Sequence, residues 1–448
     1  MSTKSQNKSK HKLKSKVFVE RKSLLTELLE TKNFLTVKCL LYAVLFGFVG
    51  NDIVCGLIFR KEVNYGLRLV KIGFRNFEWV ILMWMSLFAL SILVFYLFQL
   101  WTWLKMKHTI SKFGIKLWDY IFLLLFLSYY STIFIVLPLL TKHYNLGVVS
   151  NSVILMEAVR ILMKTHSFIR HNAPLVNNYK PHSDQDFPAP TLNQYLYFFF
   201  APTMLYRSEY PRRNDVNKTY AFQCFLEVIL IIWLQSYVMD VFFIKRFENI
   251  DVLKMPWSDV FIAIMHSTVG AFLIMTTVFY LLLDRWLNGW SEILRFADRR
   301  FYEDWWTSTN YSFYLRTWNT VVQDWLFEYV YKEFYEIIIP KNKRLAKIMV
   351  FLVSAVVHEY VLIFMLDEFF PLLFINFFGL GQFLTSYYID SKHPFFNMGM
   401  LYSLSFGNSI QLCLYTMEFY TRQYCQDTSS WSYFKPRIFN HECFNNTL

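Results

Sequence analysis

Long apolar runs separated by short polar stretches organise this chain. Positions 77–104 carry one acid, Glu78, at their edge, and positions 121–140 and 260–283 carry no charge. At 1.5 Å rise per residue, about 20 residues cross a hydrocarbon core of roughly 30 Å. The pattern predicts crossings over 34–59, 77–104, 117–140, 221–244, 260–286 and 346–367, with further apolar stretches at 369–389 and 395–420. The expectation is eight to ten helical crossings, nine fitting the orientation argued below. Positions 145–169 read as a helix, with Glu157, Arg160 and Lys164 on a wet or interfacial face opposite a packed one. Positions 171–193, with Pro174, Pro181, Pro188 and Pro190, read as a loop. The run 195–206 is too short to span and is broken by Pro202, so it is expected to be re-entrant or interfacial. Positions 295–347 mix charges with many Trp and Tyr residues, as suits water or a headgroup layer.

Composition agrees. Of 448 residues, 55 % are hydrophobic and only 17 % charged, below the roughly 25 % of a soluble domain. Disordered, collagen-like and small disulfide-framework classes are excluded. What emerges is an all-α polytopic membrane protein. Neither an internal repeat nor the inverted repeat of a transporter is visible.

The net charge, 45 − 33 = +12, is concentrated in tails and loops. Residues 1–23 hold eight Lys and Arg against one acid, Glu20. They are expected to form a disordered arm on the cytosolic side, near anionic lipid, and nucleic acid is not an expected partner. Cys39, Cys55, Cys224 and Cys413 lie in apolar runs and read as packing residues. Cys425 and Cys443 lie in a polar C-terminal stretch beside the sequon Asn445-Asn446-Thr447. Both features suit an oxidising lumen, which places the C-terminus opposite the N-terminus.

Polar residues inside apolar runs are costly and call for a reason. His358 stands in Val353-Ser-Ala-Val-Val-His-Glu-Tyr360 between two apolar stretches, with Ser354 four residues earlier on the same helical face. A neutral imidazole there suits a general base; the bland alternative is a histidine that bonds a neighbouring helix. The bland reading is preferred for His266. Glu359 is expected to point elsewhere, toward an interface. A second cluster is Phe301-Tyr-Glu-Asp-Trp-Trp306, followed by Asn319 and Gln323, four apart on one helical face. It could equally be an amphipathic interfacial helix with an aromatic belt. No phosphate loop, dinucleotide turn, metal-ligand spacing or nucleophile elbow occurs, so no metal and no cofactor are expected.

These stretches together resemble the sterol O-acyltransferases of the membrane-bound O-acyltransferase superfamily, from about residue 23 to residue 443. The resemblance rests on Met163-Lys-Thr-His-Ser-Phe-Ile-Arg170, Gln194-Tyr-Leu-Tyr-Phe-Phe-Phe-Ala-Pro202, Tyr206-Arg-Ser-Glu-Tyr-Pro-Arg212, Leu294-Arg-Phe-Ala-Asp-Arg-Arg-Phe-Tyr-Glu-Asp-Trp-Trp306 and Ser354-Ala-Val-Val-His-Glu-Tyr360. It implies nine transmembrane helices in the endoplasmic reticulum, a homodimer or homotetramer, a long-chain acyl-CoA substrate entering from the cytosol and a sterol entering from the bilayer. His358 then matches the catalytic histidine and Asn319 the catalytic-site asparagine. Tyr331, Lys343, Ser354 and Gln323 fall near acyl-CoA. Phe301, Tyr302, Asp304, Trp305 and Trp306 form the family block, and Cys425 and Cys443 the lumenal disulfide. Thr307, Phe313 and Gln323 depart from the family's Asn, Asn and His, which bears on substrate preference and rate. The alternatives are acyl transfer to diacylglycerol or another lipid alcohol, a catalytically impaired lipid-binding relative, and a transporter or channel.

Overall fold

A computed structural model describes residues 13–61, 63–106, 112–179, 189–248, 255–386, 393–424 and 432–438. Cys425, Cys443 and the sequon lie outside these residues.

The described residues are mostly helical, and among them the only β pairings are two isolated bridges, Arg21 with Asp298 and Arg212 with Phe296. A short helix α1 (Leu24–Leu29) leads into α2 (Lys32–Cys55). A small α3 (Arg68–Gly73) precedes α4 (Phe77–Met106), α5 (Lys112–His143), α6 (Val148–Asn178) and the short α7 (Leu192–Phe200). Then come α8 (Lys218–Met239), a single turn α9 (Lys245–Phe247), α10 (Trp257–Phe279) and α11 (Leu287–Ile293). The mixed-charge segment holds α12 (Tyr311–Thr317), α13 (Thr320–Leu326) and two π-helical pieces, Phe327–Tyr331 and Phe334–Ile338. Finally come α14 (Lys343–Leu366), the short α15 (Leu372–Phe374) and α16 (Gly381–Leu384) flanking a π piece, and α17 (Pro394–Tyr424).

Six stretches among the described residues are long and apolar enough to cross a membrane: Lys32–Phe59, Phe77–Met106, Phe113–His143, Lys218–Phe247, Trp257–Ile293 and Lys343–Leu366. The chain is therefore a polytopic all-α protein. α6 and α17, at 31 residues each, match the spans in length but carry more polar groups. The stretch expected at 369–389 is not a span. Pro371 opens it, and its apolar helix covers only Leu372–Leu384, about 20 Å at helical rise.

Helix α2 has no buried residue, and its apolar side chains, Leu40 and Phe46 among them, face outward as lipid would require. Cys39 lies on that outer surface rather than in a core, while Cys224 and Cys413 are buried as expected. His266 is exposed on α10 and makes no interhelical hydrogen bond among the described residues. Packing concentrates in three clusters. One joins α4, α5, α6 and α7 around Phe98, Ile154, Phe168 and Phe198. A second joins α10 and α17 around Ala263, Ala271 and Cys413. The third gathers Phe279, Phe296, Phe301, Tyr302 and Trp305.

Helix α6 corrects two expectations. It runs through Pro174 to Asn178 instead of yielding to a loop at 171, since Asn172 and Val176 remain buried along it. Its charged stripe is not wet. Glu157 accepts from Trp84 Nε1 at 2.8 Å, and Lys164 is only 2 % exposed. The reason lies in α7. Thr191 and Gln194 cap the start of α7 reciprocally, and the helix stops before Pro202 with unpaired carbonyls. Lys164 Nζ donates to the carbonyls of Phe198 and Ala201, both at 2.6 Å, and Arg160 donates to that of Phe199 at 2.8 Å. Two cations thus sit at the negative end of a helix.

The basic tail is corrected for residues 13–23, which lie on the mixed-charge segment rather than free. Lys16 pairs with Asp324 at 2.5 Å, and Arg21 grips Asp298 through two nitrogens at 2.9 and 3.0 Å.

Beyond α14, Glu368 is buried beside Glu418, and Arg422 lies between them, 2.7 Å from Glu418 and 3.9 Å from Glu368. Burial and then the Glu418 carboxylate push Glu368 up to about 8. A carboxyl raised in the folded state favours folding below its ordinary value, near 4.5, and loses that contribution as pH rises toward 8. The melting temperature in detergent should fall between about pH 5 and pH 8, and Glu368→Gln should flatten that slope; an unchanged slope refutes the assignment. Lys164→Met should lower stability by about 2–4 kcal/mol, since hydrogen bonds to charged groups contribute roughly 1.5–3 kcal/mol each. Thermal unfolding of the two proteins measures it, and equal midpoints would rule out the capping role.

Candidate active site

Helix α14 begins where Asn342 accepts from the Leu345 N–H at 3.0 Å, and ends at Asp367 in the left-handed region. Between them run 24 residues, mostly apolar. One side packs on α6, where Asn151 Nδ2 donates to the Phe364 carbonyl at 2.6 Å, and on α5, where Tyr360 meets Phe134 edge to face. Its other neighbours include the π pieces Phe327–Tyr331, Phe334–Ile338 and Ile375–Leu380, with α15 and α16.

The His358 ring stacks on Phe377, with centroids 4.8 Å apart and planes 26° from parallel, and the residue is exposed. Nδ1 is 2.7 Å from the Ser354 carbonyl oxygen and 3.5 Å from Ser354 Oγ. A carbonyl offers only lone pairs, so Nδ1 carries the hydrogen and Nε2 keeps a free lone pair. The histidine therefore does not bond a neighbouring helix. Its hydrogen bond is local and fixes the tautomer, and its basic nitrogen is open. Glu359 corrects its expectation: it is buried, and its carboxylate accepts from the Phe374 N–H at 2.8 Å, tying α14 to α15.

Asn319 caps α13, its Oδ1 accepting from Val322 N–H at 3.1 Å. The amide NH₂ has no hydrogen-bond partner among the described residues. Gln323 lies one turn on, its backbone N–H bonded to the Asn319 carbonyl at 3.1 Å. No hydrogen bond joins Asn319 to His358. Their elements meet through the π piece Phe327–Tyr331, which continues α13 and packs along α14. Tyr331 belongs to a stacked ladder with Phe327 and Tyr335, at 5.6 and 6.0 Å. The spacing of four among 327, 331 and 335 carried this signal, and sequence reasoning used only its middle member. Nothing local could have announced Phe377, which comes from another element.

Lys343 opens α14, fifteen residues before His358, or about 22 Å along the axis. Lys341 and Arg344 flank it, and Arg316 acts on Lys347 one turn further. The mouth of the helix is thus strongly cationic, although a helix N-terminus ordinarily disfavours positive charge.

The block Phe301–Trp306 does not reach His358. Tyr302 donates to the buried carboxylate of Asp284 and bonds Ser23 Oγ at 3.0 Å. Trp305 packs on Trp318 at 4.7 Å and on Phe279 at 5.0 Å. Asp304 accepts from Thr307 Oγ1 at 2.9 Å. The carbonyls of Trp306 and Ser308 receive Asn397 from α17. These residues knot α10, α12 and α17 together. Helix α6 completes the frame for α13, with Trp325 Nε1 donating to the Met163 carbonyl at 3.0 Å and Arg170 pairing with Glu333 at 2.6 Å. His166 lies among Tyr130, Trp325 and Tyr329.

Comparison with known proteins identifies the family. Residues 69–417 match the membrane-bound O-acyltransferase family. Sterol O-acyltransferase 1 of Mus musculus is 36 % identical over 428 residues, covering 94 % of this chain and 78 % of the relative. Sterol O-acyltransferase 2 of Homo sapiens is 32 % identical over 432 residues, covering 95 % and 80 %. With that match across most of its length, the chain belongs to the membrane-bound O-acyltransferase family.

Proposed function

We propose that this protein transfers a long-chain fatty acyl group from acyl-CoA to the 3-hydroxyl of a sterol. The observation that carries the reading is His358: a neutral imidazole with Nδ1 committed and Nε2 open, on an apolar helix of a chain in this family. The similarity to sterol O-acyltransferases supports the sterol as acceptor. It favours that reading over transfer to diacylglycerol or another lipid alcohol, and over a transporter.

The reaction is direct, without an acyl-enzyme. Nε2 takes the hydroxyl proton as the sterol oxygen attacks the thioester carbonyl. The free amide of Asn319 donates to the oxygen on which charge develops. When the tetrahedral intermediate collapses, the C–S bond breaks and the imidazolium returns its proton to the departing thiolate. Ester and CoA are the products, and no cofactor takes part. The cationic mouth at Lys343 and Arg344 receives the CoA phosphates, and the 22 Å or so of α14 between mouth and histidine accommodates the pantetheine arm. Tyr331, Ser354 and Gln323 line that path. Apolar walls such as Phe377 limit competing hydrolysis of the thioester by keeping water out. The setting that suits these substrates is the endoplasmic reticulum membrane, with the basic N-terminus cytosolic, the C-terminus lumenal, the Cys425–Cys443 disulfide formed there, and the protein a homodimer or homotetramer.

Purified protein given labelled oleoyl-CoA and a panel of sterol, diacylglycerol and retinol acceptors should yield sterol ester; glyceride as the main product would overturn the assignment. His358→Ala should slow ester formation by about 10²–10⁴-fold at unchanged melting temperature. Asn319→Asp keeps the helix cap but loses the donor, so kcat should fall by about 10²–10³-fold. Full activity in either variant removes that residue from the mechanism.

A further inference from the structure

The N-terminal residues 13–20 form neither helix nor strand and lie across the mixed-charge segment, beside the acyl-CoA path proposed above. Leu13 N–H donates to Glu336 at 2.6 Å, Lys16 reaches Asp324 at 2.5 Å, and Val19 N–H points to Asp298 at 3.4 Å. Ser15 lies in the middle of this strap and is exposed. Its Oγ donates to Glu328 at 2.9 Å and accepts from Lys332 Nζ at 2.7 Å. Glu328 and Lys332 belong to the helical run that carries Tyr331 and packs along α14. In sequence Ser15 is ringed by cations: Lys10, Lys12 and Lys14 precede it and Lys16 follows. An exposed hydroxyl on a basic segment held in neither helix nor strand is the form in which a basophilic protein kinase reaches its acceptor.

We propose that Ser15 is a phosphorylation site, and that its phosphate detaches the strap and weakens acyl-CoA binding. The kinase forms a bond between Ser15 Oγ and the γ-phosphorus of a nucleoside triphosphate. The bond from that phosphorus to the bridging oxygen breaks, the diphosphate leaves, and the hydroxyl proton passes to the kinase's base. The consequence follows from what surrounds the new dianion. A cavity of about 360 Å³ beneath the strap is walled by Ser15 and by the carboxylates of Glu303, Asp324 and Glu328. Most of its cations are already committed: Lys16 to Asp324, Arg21 to Asp298 and Arg300 to Glu27. Glu328 is the nearest group, and its Oε2 is buried without a hydrogen-bond partner among the described residues, so little water screens it. Lys14, at the exposed edge, and Lys332 offset part of the repulsion, but Lys332 is half-buried and already paired with Glu328 at 3.2 Å. Charge placed beside a half-buried carboxylate disrupts the contact. Detachment removes the basic strap, with Lys14 and Lys16, from the route of an anionic substrate, which weakens acyl-CoA binding, a consequence that rests on the proposed acyltransferase function.

The test uses full-length protein in nanodiscs, treated with a basophilic protein kinase and ATP. Mass spectrometry should find phosphate on Ser15, and Ser15→Ala should lose that site. Hydrogen exchange of peptides covering 13–19 and 326–338 should then quicken several-fold. Glu328→Gln, which removes the repelling carboxylate, should largely restore their protection in the phosphorylated protein. The KM for oleoyl-CoA should rise several-fold while kcat holds, and Ser15→Ala should match the untreated enzyme. No phosphate on Ser15 when a free peptide of residues 8–20 is labelled overturns the proposal. So does phosphate with unchanged exchange, or with unchanged KM in active enzyme. A protein that exchanges faster on phosphorylation yet makes no sterol ester leaves the site and its release standing and defeats the acyltransferase reading instead.

Discussion

Inside an apolar bundle, the ammonium of Lys164 is met not by a carboxylate but by the end of a helix. Three carbonyls of α7 turn toward Lys164 and Arg160. Unmatched carbonyls in such surroundings would cost several kcal/mol, so the position of α7 against α6 is closely specified. From there the frame extends outward. The later half of α6 holds α13 through Met163 and the run after it through Arg170, and its early turns hold α14 through Asn151. The helix with the candidate base and the helix with the candidate oxyanion donor are thus mounted on one support.

The same economy recurs at the site. His358 and Asn319 each offer two hydrogen-bonding functions, and each commits one of them to its own backbone. His358 Nδ1–H goes to the Ser354 carbonyl, and Asn319 Oδ1 caps α13. The committed half orients the free half, so a lone pair on one side and an amide donor on the other are presented without rearrangement. Preorganisation of this kind supplies most of what an electrostatically driven acyl transfer needs. It requires no nucleophile, which fits the weakness of Ser354 as one: its hydroxyl stands 3.5 Å from the very nitrogen that is already protonated.

Much of this was legible in the sequence because the hydrophobic pattern is a local property. The long runs at 77–104, 117–140 and 260–286 became spans with ends moved by only a few residues at most boundaries. The misreadings came where tertiary partners override local character. Glu157, Arg160 and Lys164 look like a wet face until α7 is known to end against them. Glu359 looks interfacial until the Phe374 N–H is placed beside it. The stretch after Pro371 has the composition of a span but not its length. His358 was identifiable because a lone polar residue in an apolar run is conspicuous. Phe377 was not, because nothing in a phenylalanine-rich stretch marks the one ring that meets an imidazole.

The aromatic block Phe301–Trp306 sharpens the distinction between a recognisable motif and a reacting group. Its side chains meet Asp284, Ser23, Phe279 and Trp318, and α17 reaches its backbone through Asn397. None of these is a candidate for proton transfer. Yet a site that joins a charged, water-borne thioester to a lipid-dissolved alcohol must be dry inside and open to water at one end. A chain crossing that boundary cannot stay in one long helix. It has to be irregular backbone with every polar group matched, which is tolerated at membrane depth only when protein surrounds it. The block provides that surround: tryptophans close over the turn, and Tyr302 carries the one deep hydroxyl to a carboxylate that Ser23 and Asn288 also bond. The most recognisable segment of the chain thus braces the helices around the site, and the least conspicuous groups, one imidazole nitrogen and one amide, are left to perform the chemistry.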